Sequence, residues 1–175
     1  MNLPTRIALT ALAAFATLTP AAHAKRTKPQ SLPASIQVPA GHKLFESHHA
    51  IGVQIYSCNG TAWSFVAPRA NLYNDRGKFR MAHFFGPTWM AKDGSFVTAH
   101  NAVSHPVAGA IPWLRLQAKT TGAGPYGDKL VKTTYIQRIN TTGGVAPDAA
   151  TCNATTAGAQ VEVPYTADYL FYRAK

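Results

Sequence analysis

Only two cysteines occur in the chain, Cys58 and Cys152. That excludes a thiolate-rich metal centre and a disulfide-dense mini-domain, both of which need more. Acids are scarce as well: seven Asp and Glu stand against seventeen Lys and Arg, a formal net charge of +10. Asp75, Asp93, Asp128 and Asp148 lie beside or near Gly or Pro, where aspartate caps turns. Glu46, Glu162 and Asp168 remain, and they show none of the paired spacing that general acid–base or glycosidic chemistry uses. Helical periodicity is nearly absent; only Leu44 to Ala50 could make a helical turn. No Gly-x-Ser-x-Gly elbow and no solenoid repeat is present. After Ala24 no apolar run is long enough to cross a membrane as a helix, so no integral membrane segment is expected once the leader is cleaved.

What is present begins with a leader. Met1 to Arg6 carries one positive charge, Ile7 to Leu18 is apolar, Pro20 breaks the run, and Ala22-His23-Ala24 fits a small-x-small cleavage site. Residues 1–24 are therefore expected as a signal peptide, and the protein as exported, periplasmic or extracellular. Residues 25–39 are basic and contain three prolines, which predicts a flexible or extended lead-in. A single domain over 40–175 follows.

Period-two alternation with frequent turn signals runs through that domain. Gly52 to Cys58 sets Val53 and Ile55 against Gln54 and Tyr56. Phe79, Met81, His83 and Phe85 share a face, and Gly86-Pro87 then interrupts the ladder, since proline lacks a backbone donor. Thr88–Ala91 and Ser95–His100 flank Lys92-Asp93-Gly94, a hairpin turn. Leu114, Leu116 and Ala118 point one way, Arg115 and Gln117 the other. Leu130 to Asn140 is expected as a strand with Val131, Thr133, Tyr135 and Ile139 on one face. Ala159–Val163 and Asp168–Tyr172 close the series. The fold expected is all-β, about nine short, mostly antiparallel strands in a closed barrel or a two-sheet sandwich. In an oxidising compartment a Cys58–Cys152 disulfide is the default, with a free reactive thiol as the alternative.

Several motifs point to one family. They include Val38-Pro-Ala-Gly41, Gly52-Val-Gln-Ile-Tyr56 with Cys58, and Trp63-Ser-Phe-Val-Ala-Pro68. His83…Gly86-Pro-Thr-Trp89…Asp93-Gly-Ser95, Ala110-Ile-Pro-Trp-Leu114, and Gly143-Gly-Val-Ala-Pro147 with Cys152 continue the match. Together they resemble an exported bacterial and fungal family catalogued as domain of unknown function 3455. The resemblance implies an exported single-domain protein and carries no activity with it. Arg69 stands where an acidic residue would be expected after Ala67-Pro68.

The candidate ligand-binding residues are His83, Trp89, Asp93 and Trp113. His83 is a polar group in an apolar row, so its ring nitrogens need a backbone carbonyl, Asp93, or a pocket. Tryptophans on a β scaffold either fill the core or stack on ligands. A metal could draw on His48, His49, His83, His100 or His105, and Glu46 with His48 has strand-face spacing, but no His-x-His pair occurs; no metal and no cofactor are expected. A His83–Asp93–Ser95 triad is poorly placed along one bend. The excess of positive charge favours anionic partners. Export and the lack of a basic-aromatic stripe argue against nucleic acid. The expectation is a non-catalytic binding protein for a small apolar or anionic molecule, or an envelope glycan. The alternative is a hydrolase or metal-dependent enzyme using His83 with a nearby acid.

Overall fold

The structure is a computed structural model that describes residues 32–175. The expected leader lies outside the described residues. Eight strands follow in order: β1 (His42–Cys58), β2 (Trp63–Tyr73), β3 (Phe79–Phe84), β4 (Thr88–Ala91), β5 (Phe96–Val107), β6 (Ala110–Gly122), β7 (Tyr135–Gly143) and β8 (Gln160–Ala174). Each pairs antiparallel with the next, and β8 returns to β1, so a single sheet closes in a ring. Closure leaves no edge strand, which is how an all-β chain avoids an exposed hydrogen-bonding edge. The two-sheet alternative is thereby replaced by one closed sheet.

The strand count is eight because the last two expected strands are one. Tyr165 and Ala167 continue the inward alternation, and Pro164 sits opposite Val53 without breaking the ladder. Leu44 to Ala50, the one expected helical turn, belongs to β1. Residues 130–134, expected as strand, precede β7; Leu130 there is fully buried in the barrel core, and its N–H donates to Ser95 Oγ at 3.2 Å.

The inner face carries Leu72, Met81, Trp89, Val97, Leu116, Ile136, Tyr169 and Phe171 among others. Register shifts interrupt β1, β2, β5, β6, β7 and β8, supplying the local bends a small closed sheet needs. Asn101 and Asn140, the two non-glycine residues with positive φ among the described residues, sit within the shifts of β5 and β7. Gly52 is required for another reason: a Cβ there would lie 2.2 Å from the Arg69 carbonyl oxygen and 2.5 Å from Ala70 Cα on β2.

A second apolar cluster lies on the outside, across strands β5 to β8. Leu32 and Ile36 pack there with Ile139, Leu170 and Tyr172, beside Val38, Val103, Trp113 and Tyr135. A 3-10 turn over Ala34–Ile36 places Ile36, and polar bonds strap the backbone down. Gln137 Nε2 donates to Ile36 O at 2.6 Å, and Arg115 Nη1 donates to Gln37 O at 2.8 Å. Residues 32–39 have two large apolar side chains to bury and a strand exterior to bury them on, while residues 25–31 of the expected lead-in lie outside the described residues. Cys58 and Cys152 form the disulfide. Among the described residues no helix is long and apolar enough to cross a membrane.

Candidate functional site

The bend between β3 and β4 builds the site. Gly86 takes φ +74°, and Thr88 Oγ1 donates to the carbonyls of Phe85 and Gly86 at 3.0 and 3.2 Å, which fixes a tight reversal. That reversal makes His83 and Trp89 direct cross-strand partners on the inner face. Their rings stack at 4.2 Å and 6°, and Tyr169 from β8 meets both edge-on, at 5.2 and 5.5 Å.

His83 Nδ1 lies 2.9 Å from the Thr88 carbonyl. A carbonyl only accepts, so Nδ1 carries the proton, and the neutral ring keeps its lone pair on Nε2. Burial holds the imidazole neutral, pushing its pKa down to about 3; the Arg138 charge adds to that, and the Thr88 bond opposes it. The unfolded ring titrates near 6.5, so it takes up a proton that the folded ring refuses between pH 6.5 and about 3. Stability from this group is complete above the upper limit and lost as pH falls through the window, with a slope approaching about 1.4 kcal/mol per pH unit. His83→Asn keeps a donor for Thr88 and is expected to flatten that part of the curve. Denaturant midpoints measured between about pH 7 and 4 check this; equal slopes in both proteins would show that the ring is not the group responsible.

Beside the His83–Trp89–Tyr169 cluster the barrel holds an open cavity of about 480 Å³. Its walls are mainly apolar, from Ile111, Leu114 and Leu116, with Phe65 and Phe85 at the mouth. Phe65 and Phe85 are 55% and 71% exposed. Two further polar residues line it, Gln54 from β1 and Arg138 from β7. Gln54 Nε2 and Trp89 Nε1 are buried without a hydrogen-bond partner. No aspartate or glutamate lines the cavity.

Of the residues singled out in the sequence, His83 and Trp89 come together here, and Asp93 and Trp113 do not. Asp93 belongs to the turn at the opposite end of the barrel. Its Oδ1 accepts from Ser95 N and Oγ at 3.0 and 2.6 Å, and its Oδ2 from Lys129 N at 3.1 Å. These bonds hold its pKa below the usual value against the opposing effect of burial. It caps a turn, and the His83–Asp93–Ser95 triad does not form. Trp113 points outward into the second apolar cluster, 6.4 Å from the His105 ring. The two cavity donors the sequence reading passed over are Gln54 and Arg138. The signal for Gln54 was available: Gly52, Gln54 and Tyr56 form the inward row of β1, and a glycine at a close strand approach marks that row.

The three acids outside turns are all engaged elsewhere. Glu46 Oε2 lies 2.6 Å from His48 Nε2, and its Oε1 accepts from Lys129 Nζ at 2.8 Å. The contact with His48 and the ion pair with Lys129 outweigh burial and bring Glu46 down to about 2. Asp168 takes bonds from His49 and Asn140, both at 2.8 Å. Glu162 pairs with Arg69 at 2.6 Å on the exposed surface, where such a pair contributes little. Glu46 and His48 thus meet as their spacing suggested, with a lysine as third member. Among the described residues no three His, Cys, Asp or Glu side chains gather as a metal ion requires.

The family profile described as "Protein of unknown function (DUF3455)" matches residues 39–173. The chain belongs to the DUF3455 family. No curated protein and no solved structure matches it. The DUF3455 match covers all eight strands apart from the last residue of β8, so cavity, disulfide and ring closure all lie within the family's domain.

Proposed function

We propose that this DUF3455 protein is an exported, non-catalytic binding protein that holds a small, largely apolar molecule in the barrel cavity. The observation that carries this is the cavity itself: about 480 Å³, open at one end, walled by aliphatic side chains and floored by the His83–Trp89 stack. Eight-stranded barrels have room for one small ligand, and specific pockets are mostly apolar with a few placed polar groups. An apolar wall suits an apolar ligand better than a glycan, whose hydroxyls each need a partner. The leader-like N-terminus and the Cys58–Cys152 disulfide support export to an oxidising compartment. The enzyme alternative needs an acid within reach of His83, whereas this histidine is neutral, tied to a backbone carbonyl, and faces a cavity without carboxylates.

A neutral naphthylamine dye tests the reading. It is expected to bind saturably, one molecule per chain, with blue-shifted emission. Ala102→Trp, at an exposed position on the cavity lining, is expected to weaken it at least tenfold. Absence of saturable binding, or an affinity unmoved by Ala102→Trp, would overturn the proposal.

A further inference from the structure

We infer that the molecule held in the cavity carries an anionic head, a carboxylate in its smallest form, seated on Arg138 with Gln54 and Trp89. This rests on the binding reading above and specifies its chemistry.

Arg138, Gln54 and Trp89 line the same cavity and each brings donors; the other polar atoms of these walls are the Gln54 amide oxygen, the His83 Nε2 lone pair and the Tyr169 hydroxyl. Arg138 stands on the inner side of β7. Two of its donors, Nε and Nη2, converge on a single acceptor, the Pro112 carbonyl, at 3.1 and 2.9 Å. No carboxylate pairs with it among the described residues. A further N–H of the guanidinium is directed at the Tyr169 hydroxyl; with five N–H groups in all, donors still remain over. Its charge is felt across the interior: it bears on His83, Tyr56, Tyr165 and Tyr169. Gln54 is 2% exposed and Trp89 1%, and Gln54 Nε2 and Trp89 Nε1 have no partner.

Buried donors without partners are disfavoured, and an unpaired buried charge more so. A barrel that keeps a cation and two idle donors around one cavity is complementary to a group that only accepts. A carboxylate fits: it offers two oxygens with about four lone-pair directions, carries the opposite charge, and matches the planar arginine fork. A cationic ligand would add to the imbalance of charge. The walls set the rest of the molecule: Ile111, Leu114, Leu116 and Phe65 offer nothing polar, so the body beyond the head is an aliphatic chain or a ring. The ligand class is a small amphipathic monocarboxylate.

Octanoate and 1-octanol, the same chain with and without the charge, separate the head from the body. Each is used to displace the neutral dye from the full-length mature protein at neutral pH. The wild-type protein is expected to take octanoate at least tenfold more tightly than octanol. Arg138→Gln is expected to bring that ratio to within about twofold, and Gln54→Leu, which leaves the charge in place, to reduce it partway. Because the readout is a ratio measured in the wild type first, a variant that fails to fold does not remove the test. If the dye binds and octanoate competes no better than octanol, the anionic head is wrong and the apolar cavity stands. If the dye itself does not bind, the cavity reading falls and this inference falls with it.

Discussion

Replacing both Cys58 and Cys152 with serine is expected to lower the unfolding free energy by about 4 kcal/mol. The bridge spans 94 residues of sequence, and closing a loop of that size in the unfolded chain is worth about 4–5 kcal/mol in the chain-entropy account. It also has a local task. The connection from β7 to β8 is long, and its only regular element is a 3-10 turn at Ala149–Thr151. Cys152 directly follows that turn and fastens it to the end of β1, and Trp63, the first residue of β2 and the cross-strand partner of Cys58, donates from Nε1 to Thr151 Oγ1 at 2.9 Å. Denaturant unfolding of the double variant beside the oxidised wild type checks the figure. A loss under about 1 kcal/mol would show that packing alone holds the connection.

Trp89→Ala is expected to lower stability by about 3–5 kcal/mol, the range for removing a buried aromatic ring. Trp89 is 1% exposed and touches three rings: it stacks on His83, meets Tyr169 edge-on and lies 6.1 Å from Phe171. Its loss leaves the His83 ring without the flat partner that sets its plane. Trp89→Phe keeps an aromatic face and is expected to recover more than half of the loss. Thermal unfolding of the two variants side by side decides the matter. Equal melting temperatures for both would mean that an aromatic ring at this position recovers nothing, and the stacked geometry would lose its energetic meaning.

The sequence was legible where one face of a strand meets water and the other meets the core. Leu114, Leu116 and Ala118 against Arg115 and Gln117 is such a case, and the inward assignment holds. The Asp93-Gly94 turn was legible because its chemistry is local: an Asx bond needs only the next two residues. Strand β7 was opaque because both its faces are covered. Ile136 points into the barrel and Ile139 lies beneath Ile36, so alternation carries no contrast. The alternation groups Tyr135 with Ile139, but with neither face marked as the inner one, Arg138 could not be placed inside. The shift at Asn140 then moves the rest of the strand out of step. Trp113 misled for a related reason. A large aromatic on a strand reads as core or site, and here a separate apolar cover from residues outside the barrel takes it up. His83 was readable as a polar group needing a partner; that its partner would be the carbonyl across its own hairpin depended on the register of the bend.

The pairing of β1 with β8 has a kinetic consequence. It joins His42 to Ala174 and runs through to Ser57 and Gln160, so the strand made first in the domain has its second neighbour made last. Contacts so far apart in sequence are slow to form, because the loop between them must be closed before they contribute. Until β8 is available the meander has two open edges and an unsealed interior. A growing chain therefore cannot seal its barrel until β8 has been made, and Cys152, which stands just before that strand, reaches Cys58 late as well.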